Sequence, residues 1–165
     1  MREIALIGIC LLAACGPEMT AEEKAMADAR DIAAVEANQA PPVIPVAPEK
    51  ILYPDIEKNE LFGTSCAFAP EGGGIGAIAL AMEDTGYLKL DGEIVRFAAD
   101  KGSAELPMAA REKYDGKAYS FRLELEETAG TQDGVETVNY PATLTILDSG
   151  DRVAFDATGI AQCGS

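Results

Sequence analysis

The sequence predicts a mainly β fold, namely a small antiparallel β-barrel or β-sandwich closed by one disulfide. Short segments of alternating apolar and polar residues follow one another in the second half of the chain, and turn-forming Asp-Gly and Ser-Gly pairs separate them. Two cysteines, Cys66 and Cys163, lie at the two ends of this region. A leader and a tether precede it, so we divide the chain into residues 1–14, 15–50 and 51–165.

The first fifteen residues have the organisation of an export signal. An apolar run over residues 4–14 is too short to cross a bilayer as a helix, which takes about 20 residues. It ends in Leu12-Ala13-Ala14-Cys15, and small residues before a cleavage point are typical of a signal peptide. This ending resembles the lipobox of bacterial lipoproteins, in which a dedicated peptidase cuts before a diacylated cysteine. The resemblance implies that Cys15 begins the mature protein and carries a lipid anchor.

The lipobox resemblance also implies a location. Acyl chains hold a protein durably on a membrane, since each buried CH₂ group contributes about 0.8 kcal/mol. Gly16 follows the cysteine, where an Asp would resemble the inner-membrane retention signal of enterobacteria. We therefore expect a cell-envelope protein that faces the periplasm, with the outer membrane favoured over the inner. The alternative is an ordinary signal peptide that happens to contain a cysteine.

Residues 15–50 are predicted to be a flexible tether that is partly helical and partly proline-rich. Residues 21–39 are rich in alanine and charge, with Ile32 and Val35 as the large aliphatic side chains, so a helix there has almost no apolar stripe. Residues 41–48 contain four prolines, which favour an extended polyproline II conformation. We interpret the segment as a stand-off from the membrane. A recognition motif for a proline-binding module is the alternative.

Residues 87–97 carry a strong hairpin signal. Asp91-Gly92 separates two alternating segments, and this pair of residues favours a two-residue type I′ turn. Such a turn pairs Leu90 with Glu93 and Leu88 with Val95. The side chains that then share one face are Leu88, Leu90, Val95 and Phe97.

Other segments are predicted to complete a domain of about six short strands. Residues 75–82 alternate, with Ile78, Leu80 and Met82 expected on one face. The remaining predicted elements are one or two helical turns over residues 55–62 with Asp55 as N-cap, a strand over 118–127, a long polar hairpin loop over 128–139, and a last hairpin from 142–147 and 152–157 around the turn 148–151.

The chain has four cysteines, and two of them are expected in the mature domain. Cys10 leaves with the leader and Cys15 carries lipid, so Cys66 and Cys163 most simply pair in an oxidising compartment. Closing so long a loop stabilises a fold by up to about 4.7 kcal/mol in the chain-entropy model. A free or intermolecular thiol is the alternative.

Composition limits the classes of function. The net charge of −15 and the absence of His are its two informative features. An acidic surface repels phosphate backbones, so we expect no nucleic acid partner, whereas a cationic protein or a metal ion would be attracted. A solvated surface without a specific partner is the alternative. Without His, the common Ser-His-Asp and Cys-His arrangements and the usual zinc ligands are excluded.

No segment carries a recognisable catalytic or cofactor motif. The glycines of residues 72–76 lack the Lys-Ser/Thr ending of a phosphate-binding loop. Glu124 and Glu126 alternate with apolar residues on a strand and are expected to be solvated, with Glu127 beside them. The acidic turn at 148–151 lacks the EF-hand pattern of calcium ligands. We therefore predict no catalytic, metal or cofactor site.

Four stretches resemble the membrane-bound inhibitors of c-type lysozyme, which are small periplasmic β-barrel lipoproteins. These stretches are residues 88–92, residues 109–114, residues 142–146 and the closing Cys163. Residues 109–114 fall where that family has an Ala-Ser-Gly-Xaa-Lys/Arg-Tyr motif, and Lys113 and Tyr114 match it. The resemblance implies that these two residues contact a partner. The Ser and Gly of the motif are replaced here by Ala110 and Arg111.

Three hypotheses follow from the sequence. The leading one is a lipid-anchored envelope domain that binds a partner or has a structural role and is not an enzyme. The second is a protein similar to the c-type lysozyme inhibitors, whose acidic surface would suit a cationic lysozyme. The third is an envelope hydrolase of unrecognised type.

Overall fold

The structure is a computed structural model that describes residues 19–39, 41–74, 76–126 and 129–165. It divides the chain into two compact units, Met1–Pro42 and Val43–Ser165. The predicted leader and Cys15 lie outside the described residues. The second unit contains the predicted β domain together with the last residues of the segment assigned to the tether.

In the first unit, helix α1 covers Ala21–Gln39 within the alanine-rich part of the tether. A capping box begins it, because Glu23 N–H donates to Thr20 Oγ1 at 3.2 Å while Thr20 N–H donates to Glu23 Oε2 at 2.8 Å. None of its residues is buried. This agrees with the absence of an apolar stripe in the sequence.

In the second unit, the described residues form helix α2, a short 3₁₀ turn at Pro107–Ala109 and nine strands. Helix α2 is Tyr53–Asn59. The strands are β1 (Ser65–Pro70), β2 (Ala79–Ala81), β3 (Thr85–Leu90), β4 (Glu93–Ala99), β5 (Lys113–Asp115), β6 (Tyr119–Leu125), β7 (Thr131–Asp133), β8 (Thr137–Asp148) and β9 (Val153–Gly164).

Eight of these strands close into an antiparallel β-barrel, which confirms the predicted fold class and decides between barrel and sandwich. Each strand of the barrel pairs with the next, in the order β1-β2-β3-β4-β5-β6-β8-β9, and β9 pairs with β1. Strand β7 pairs with β8 outside this ring and lies within the predicted loop 128–139. Strands β2, β5 and β7 have three residues each, which is too short for alternation to reveal them reliably.

The predicted β3–β4 hairpin is confirmed in its register. Leu90 lies opposite Glu93 and Leu88 opposite Val95. Asp91 has φ 52° and Gly92 has φ 80°, the two left-handed conformations of a type I′ turn. The strand predicted over 118–127 is present as β6, which covers Tyr119–Leu125.

The predicted pattern over residues 75–82 is wrong in part. Strand β2 contains only Ala79–Ala81, and Ile78 and Ala79 both lie in the barrel core, whereas Leu80 belongs to a separate apolar cluster outside it. The cause is an irregularity in the pairing. Ile78 N–H donates to Phe68 O, although Ala79 is the residue opposite Phe68. Ile78 and Leu80 therefore do not share a face as simple alternation requires.

The barrel interior is filled by aromatic and aliphatic side chains. The ring of Phe121 packs edge-on against Phe97, with centroids 5.2 Å apart, and stacks on Tyr114 at 4.8 Å. Gly86 lies against the same rings, and a Cβ atom there would come 2.7 Å from Tyr114 Cδ1. Glycine is thus required by close packing at this position.

Residues 46–61, which we call the strap, cross the outer face of the barrel. Ile51 N–H donates to Ala77 O at 2.7 Å, Glu49 N–H donates to Lys89 O at 2.8 Å, and the Lys89 ammonium lies 2.9 Å from the Asp55 carboxylate. Ile51 and Leu61 of the strap are buried against Leu80 on the outer face, and Ile56 of the strap is partly buried beside them. The strap therefore joins the end of the tether firmly to the barrel.

Asp55 does not have the predicted N-cap position. The N-cap of α2 is Leu52, and Asp55 lies at the third helical position, where its carboxylate accepts the N–H of Leu52 at 3.0 Å. The helix begins earlier than expected because Pro54 is favourable in the first turn. The Leu52 hydrogen bond and then the Lys89 ammonium lower the pKa of Asp55.

The predicted disulfide is confirmed. Cys66 on β1 lies directly opposite Cys163 on β9, their Cα atoms are 4.0 Å apart, and both residues are fully buried. The bond joins the first strand of the barrel to the last across 97 residues of sequence.

Replacing both disulfide cysteines by alanine in a Cys15→Ser chain should lower the free energy of unfolding by about 2–5 kcal/mol, because the unfolded chain regains the freedom of a long loop. Urea unfolding followed by circular dichroism at pH 7 measures this loss. As a control, the Cys15→Ser parent refolded in reductant should lose a similar amount. Equal urea midpoints for the variant and the oxidised parent would contradict the prediction.

Candidate functional site

Lys113 and Tyr114, the two residues matched to the inhibitor motif, are adjacent on β5 and point to opposite sides of the barrel wall. Lys113 is partly exposed, and its ammonium lies 3.0 Å from Asp115 Oδ1 and 3.6 Å from Asp100 Oδ2. The hydrogen bond to Asp115 is the main reason why the pKa of Lys113 is raised. Lys113 therefore stays charged, but two carboxylates of its own chain already surround that charge.

Tyr114 is a core residue, and its side chain is 0% exposed. Its hydroxyl group donates to Met82 O at 2.6 Å and accepts the N–H of Arg111 at 2.8 Å. Burial raises its pKa to about 12, so the hydroxyl is protonated and can donate at all ordinary pH values. The structure therefore places the Tyr114 side chain in the barrel core, surrounded by neighbouring elements of the described chain.

The turn at residues 106–110 has an unusual backbone. Met108 has φ 62° and Ala109 has φ 58°, and two successive non-glycine residues in this left-handed region store strain of order 1–3 kcal/mol each. Buried Leu106 and Ala110 hold the two sides of the turn, with Leu106 N–H donating to Ala110 O at 2.9 Å. Met108 is 39% exposed at the tip. The sequence contains no Gly or Asn here that would have signalled this turn.

Ala110 is fully buried at the inner end of this turn. Ala110, the residue that the resemblance would align with the family's serine, therefore lies in the core of this protein. The next residue, Arg111, turns outward, and its guanidinium lies 3.0 Å from Glu105 Oε2. Within residues 106–110, Met108 and Ala109 at the tip of the turn are the exposed residues.

The basic side chains of the barrel are mostly engaged in ion pairs with the chain's own carboxylates. The paired residues are Lys89, Lys101, Arg111, Lys113, Arg122 and Arg152. The chain has 28 acidic and 13 basic residues, so pairing leaves an excess of carboxylates that nothing in the chain neutralises. The resulting negative field attracts cationic partners and repels anionic ones.

Some of the excess carboxylates line an open groove of about 430 Å³ on the outer face of β6, β8 and β9, which we call the acidic groove. Glu124 lies opposite Thr143, which lies opposite Thr158, so the three form a row across the wall of the barrel. Glu71 and Glu126 flank this row, and none of the described residues that line the groove is basic. Glu127, also considered from the sequence, lies outside the described residues.

The acidic turn at residues 148–151 is organised by its own hydrogen bonds. Asp148 Oδ1 accepts the N–H of Gly150 at 2.8 Å, and the Arg152 guanidinium lies 2.6 Å from Asp148 Oδ2. The bonds from Arg152 are the largest cause of the lowered pKa of Asp148. In the described segments, no three His, Cys, Asp or Glu side chains are grouped closely enough to hold a metal ion.

Changing Tyr114 to Phe should lower the free energy of unfolding by about 1–3 kcal/mol, because the Met82 carbonyl and the Arg111 N–H both lose a buried partner. Tyr119→Phe is the matched control and should change stability by less than about 0.5 kcal/mol, since Tyr119 is only partly buried. Urea unfolding compares the two variants. Equal losses would show that the two hydrogen bonds of Tyr114 are not what stabilises this region.

Comparison with protein-family models, with curated proteins and with solved structures finds no match for this chain. Along the part of the chain that the structure describes, no helix is long and apolar enough to cross a membrane.

Proposed function

We propose that this protein is a lipid-anchored binding domain of the bacterial cell envelope, attached through Cys15, facing the periplasm and without enzymatic activity. The observation that carries the proposal is Leu12-Ala13-Ala14-Cys15 at the end of a short apolar run. A cysteine in this context would be acylated and would become the first residue of the mature chain. The outer membrane is the favoured location, because Gly16 follows the cysteine.

The disulfide supports a destination outside the cytoplasm. Cytosolic thiols are kept reduced, whereas disulfides persist in the periplasm and on secreted proteins. Cys66 and Cys163 are paired and fully buried, so the bond is an integral part of the folded domain. A chain exported by the predicted leader would meet the oxidising conditions that such a bond requires.

The distribution of apolar and charged groups supports a binding role. Aromatic and aliphatic side chains fill the barrel, so a partner would have to engage its outer surface. That surface carries the acidic excess, which favours a cationic protein and disfavours nucleic acid. It would also repel anionic lipid head groups, so the acyl anchor is the proposed means of membrane attachment.

An inhibitor of c-type lysozyme is the second candidate. One observation favours it: the exposed tip formed by Met108 and Ala109 lies at the start of residues 109–114, the segment that resembles the inhibitor motif. The acidic surface would also suit a cationic lysozyme. Against it, Ala110 and Tyr114 are both buried and cannot offer their side chains to a partner.

The anchor is tested by Cys15→Ser, with Cys10→Ser as the matched control within the predicted leader. Wild type and Cys10→Ser should incorporate labelled palmitate and remain with membranes after a high-salt wash, because Cys10 leaves with the leader. Cys15→Ser should incorporate no label. Palmitate labelling of Cys15→Ser at the level of wild type would overturn the proposal.

The second candidate is tested by adding the Cys15→Ser chain to c-type lysozyme and measuring the lysis of bacterial cell walls. Under the leading proposal, we expect full-rate lysis at micromolar protein. Inhibition that Met108→Asp abolishes would instead establish the second candidate. Val135→Asp is the control, because Val135 is 94% exposed and lies in the β7–β8 turn.

A further inference from the structure

Strand β7 has an open edge at the side of the barrel. Strand β8 lies between β7 and β9, because residues 138 and 139 pair with β7 on one side and with β9 on the other. None of the described strands pairs with the outer side of β7. All three of its residues, Thr131–Asp133, are exposed to solvent. Unpaired N–H and C=O groups on such an edge are a template for a further strand.

The register identifies Gln132 as the residue whose backbone groups face this open side. Along an antiparallel strand, the N–H and C=O groups of successive residues point alternately to the two neighbouring strands. Glu126 N–H donates to Pro141 O at 2.9 Å, so the odd-numbered residues of β8 face the side on which β6 and β7 lie. Thr131 and Asp133 therefore bond to the β8 residues opposite them, whereas the N–H and C=O groups of Gln132 point away from β8.

The segment that carries this edge has negative charges and no positive ones. Residues 123–140, from the end of β6 to the first part of β8, contain five acidic residues and no lysine or arginine. Asp133 Oδ2 accepts the neutral amide groups of Asn139 and Gln162, at 3.0 Å and 3.4 Å, so its charge is not compensated by them. Four of the acidic residues are described, and no basic residue of the described chain forms an ion pair with them: Glu124, Glu126, Asp133 and Glu136.

We propose that the open edge of β7 binds an extended cationic segment of a partner protein, which adds to the sheet as a further antiparallel strand. The partner residue opposite Gln132 would exchange two backbone hydrogen bonds with it. The residues on either side would lie opposite Thr131 and Asp133, where lysine or arginine would bring positive charge beside the Asp133 carboxylate. The expected segment is therefore one in which basic residues alternate with uncharged residues that favour strands.

Charge favours this occupant over a second copy of the chain. Two β7 edges brought together would place acidic side chains of both copies side by side, and each copy carries a net charge of −15. Like charges opposite one another destabilise a sheet, whereas opposite charges stabilise it. Backbone pairing would supply the affinity of the edge, and its acidic side chains would select a basic strand.

This inference deepens the proposed binding role and rests on it for the existence of a partner. It does not rest on Cys15, because β7 belongs to the compact unit Val43–Ser165. Palmitate labelling tests the anchor and peptide binding tests the edge, so either proposal can fail while the other stands.

The test uses the full chain carrying Cys15→Ser and the probe peptide acetyl-Lys-Val-Lys-Val-Lys-Val-Lys-amide at low ionic strength. Titration calorimetry should show saturable binding at one site. A second peptide carries N-methyl groups on its valines, which keeps the charge of the probe and removes the N–H donors that would face β7. It should bind at least about tenfold more weakly, the factor that corresponds to the loss of one or two backbone hydrogen bonds.

Two substitutions at Gln132 locate the site. Gln132→Pro removes the outward N–H group and should weaken binding of the probe at least about tenfold, and proline is tolerated on an edge strand where the N–H faces solvent. Gln132→Ala is the matched control, because both variants lose the side-chain bonds to Gly134 O and Val135 O. Alanine keeps the backbone N–H group, so this variant should bind the probe within about twofold of the parent.

Circular dichroism verifies that each variant is folded, and the N-methylated peptide tests strand addition on the parent chain without any substitution in β7. The proposal would be overturned if the probe did not bind, if the N-methylated peptide bound as tightly as the probe, or if the two folded Gln132 variants bound the probe equally. Equal binding of the two peptides would show that charge attraction alone holds the probe.

Discussion

The fold depends on the pairing of β1 with β9. These are the first and last strands of the barrel, and without their six register pairs the sheet would be open at two edges. The Cys66–Cys163 disulfide lies within this pairing and is buried by the core that the closure creates. Closure encloses the ring of Phe121 and its neighbours, and it also forms the continuous outer wall on which the acidic groove lies.

Strand β9 contributes to two grooves with opposite chemistry. Near Thr158 it borders the acidic groove, which Glu71, Glu124 and Glu126 line. Two residues further on, Ile160 lines a second groove between the strap and β1, which we call the apolar groove. Elsewhere on the barrel, carboxylates of the same chain neutralise most basic side chains. Glutamates line one of the two grooves, whereas the lining of the other is mostly apolar.

The adjacent residues Lys113 and Tyr114 show that two neighbours in a sequence motif can lie on opposite faces of the barrel wall. In a strand, successive side chains point to opposite faces. Lys113 therefore reaches solvent and two carboxylates, whereas Tyr114 enters the core and holds the Met82 carbonyl and the Arg111 N–H. The three-residue strand β5 has too little alternation to reveal this in the sequence. The left-handed turn at Met108 had no sequence signal either, since the packing of its flanking residues imposes it.

From the sequence alone, the mainly β class, the β3–β4 hairpin with its register and the cysteine pair could be determined, because each rests on local turn chemistry, on alternation or on the cysteine count. The tertiary structure decided the closure into a barrel, the split of Ile78 and Leu80 between two clusters, and the docking of the strap. Those features depend on contacts between residues far apart in the chain. The apolar groove belongs to the same class: Ile51, Ala69, Asn139 and Ile160 have no sequence relation, and only the β1–β9 closure brings them together.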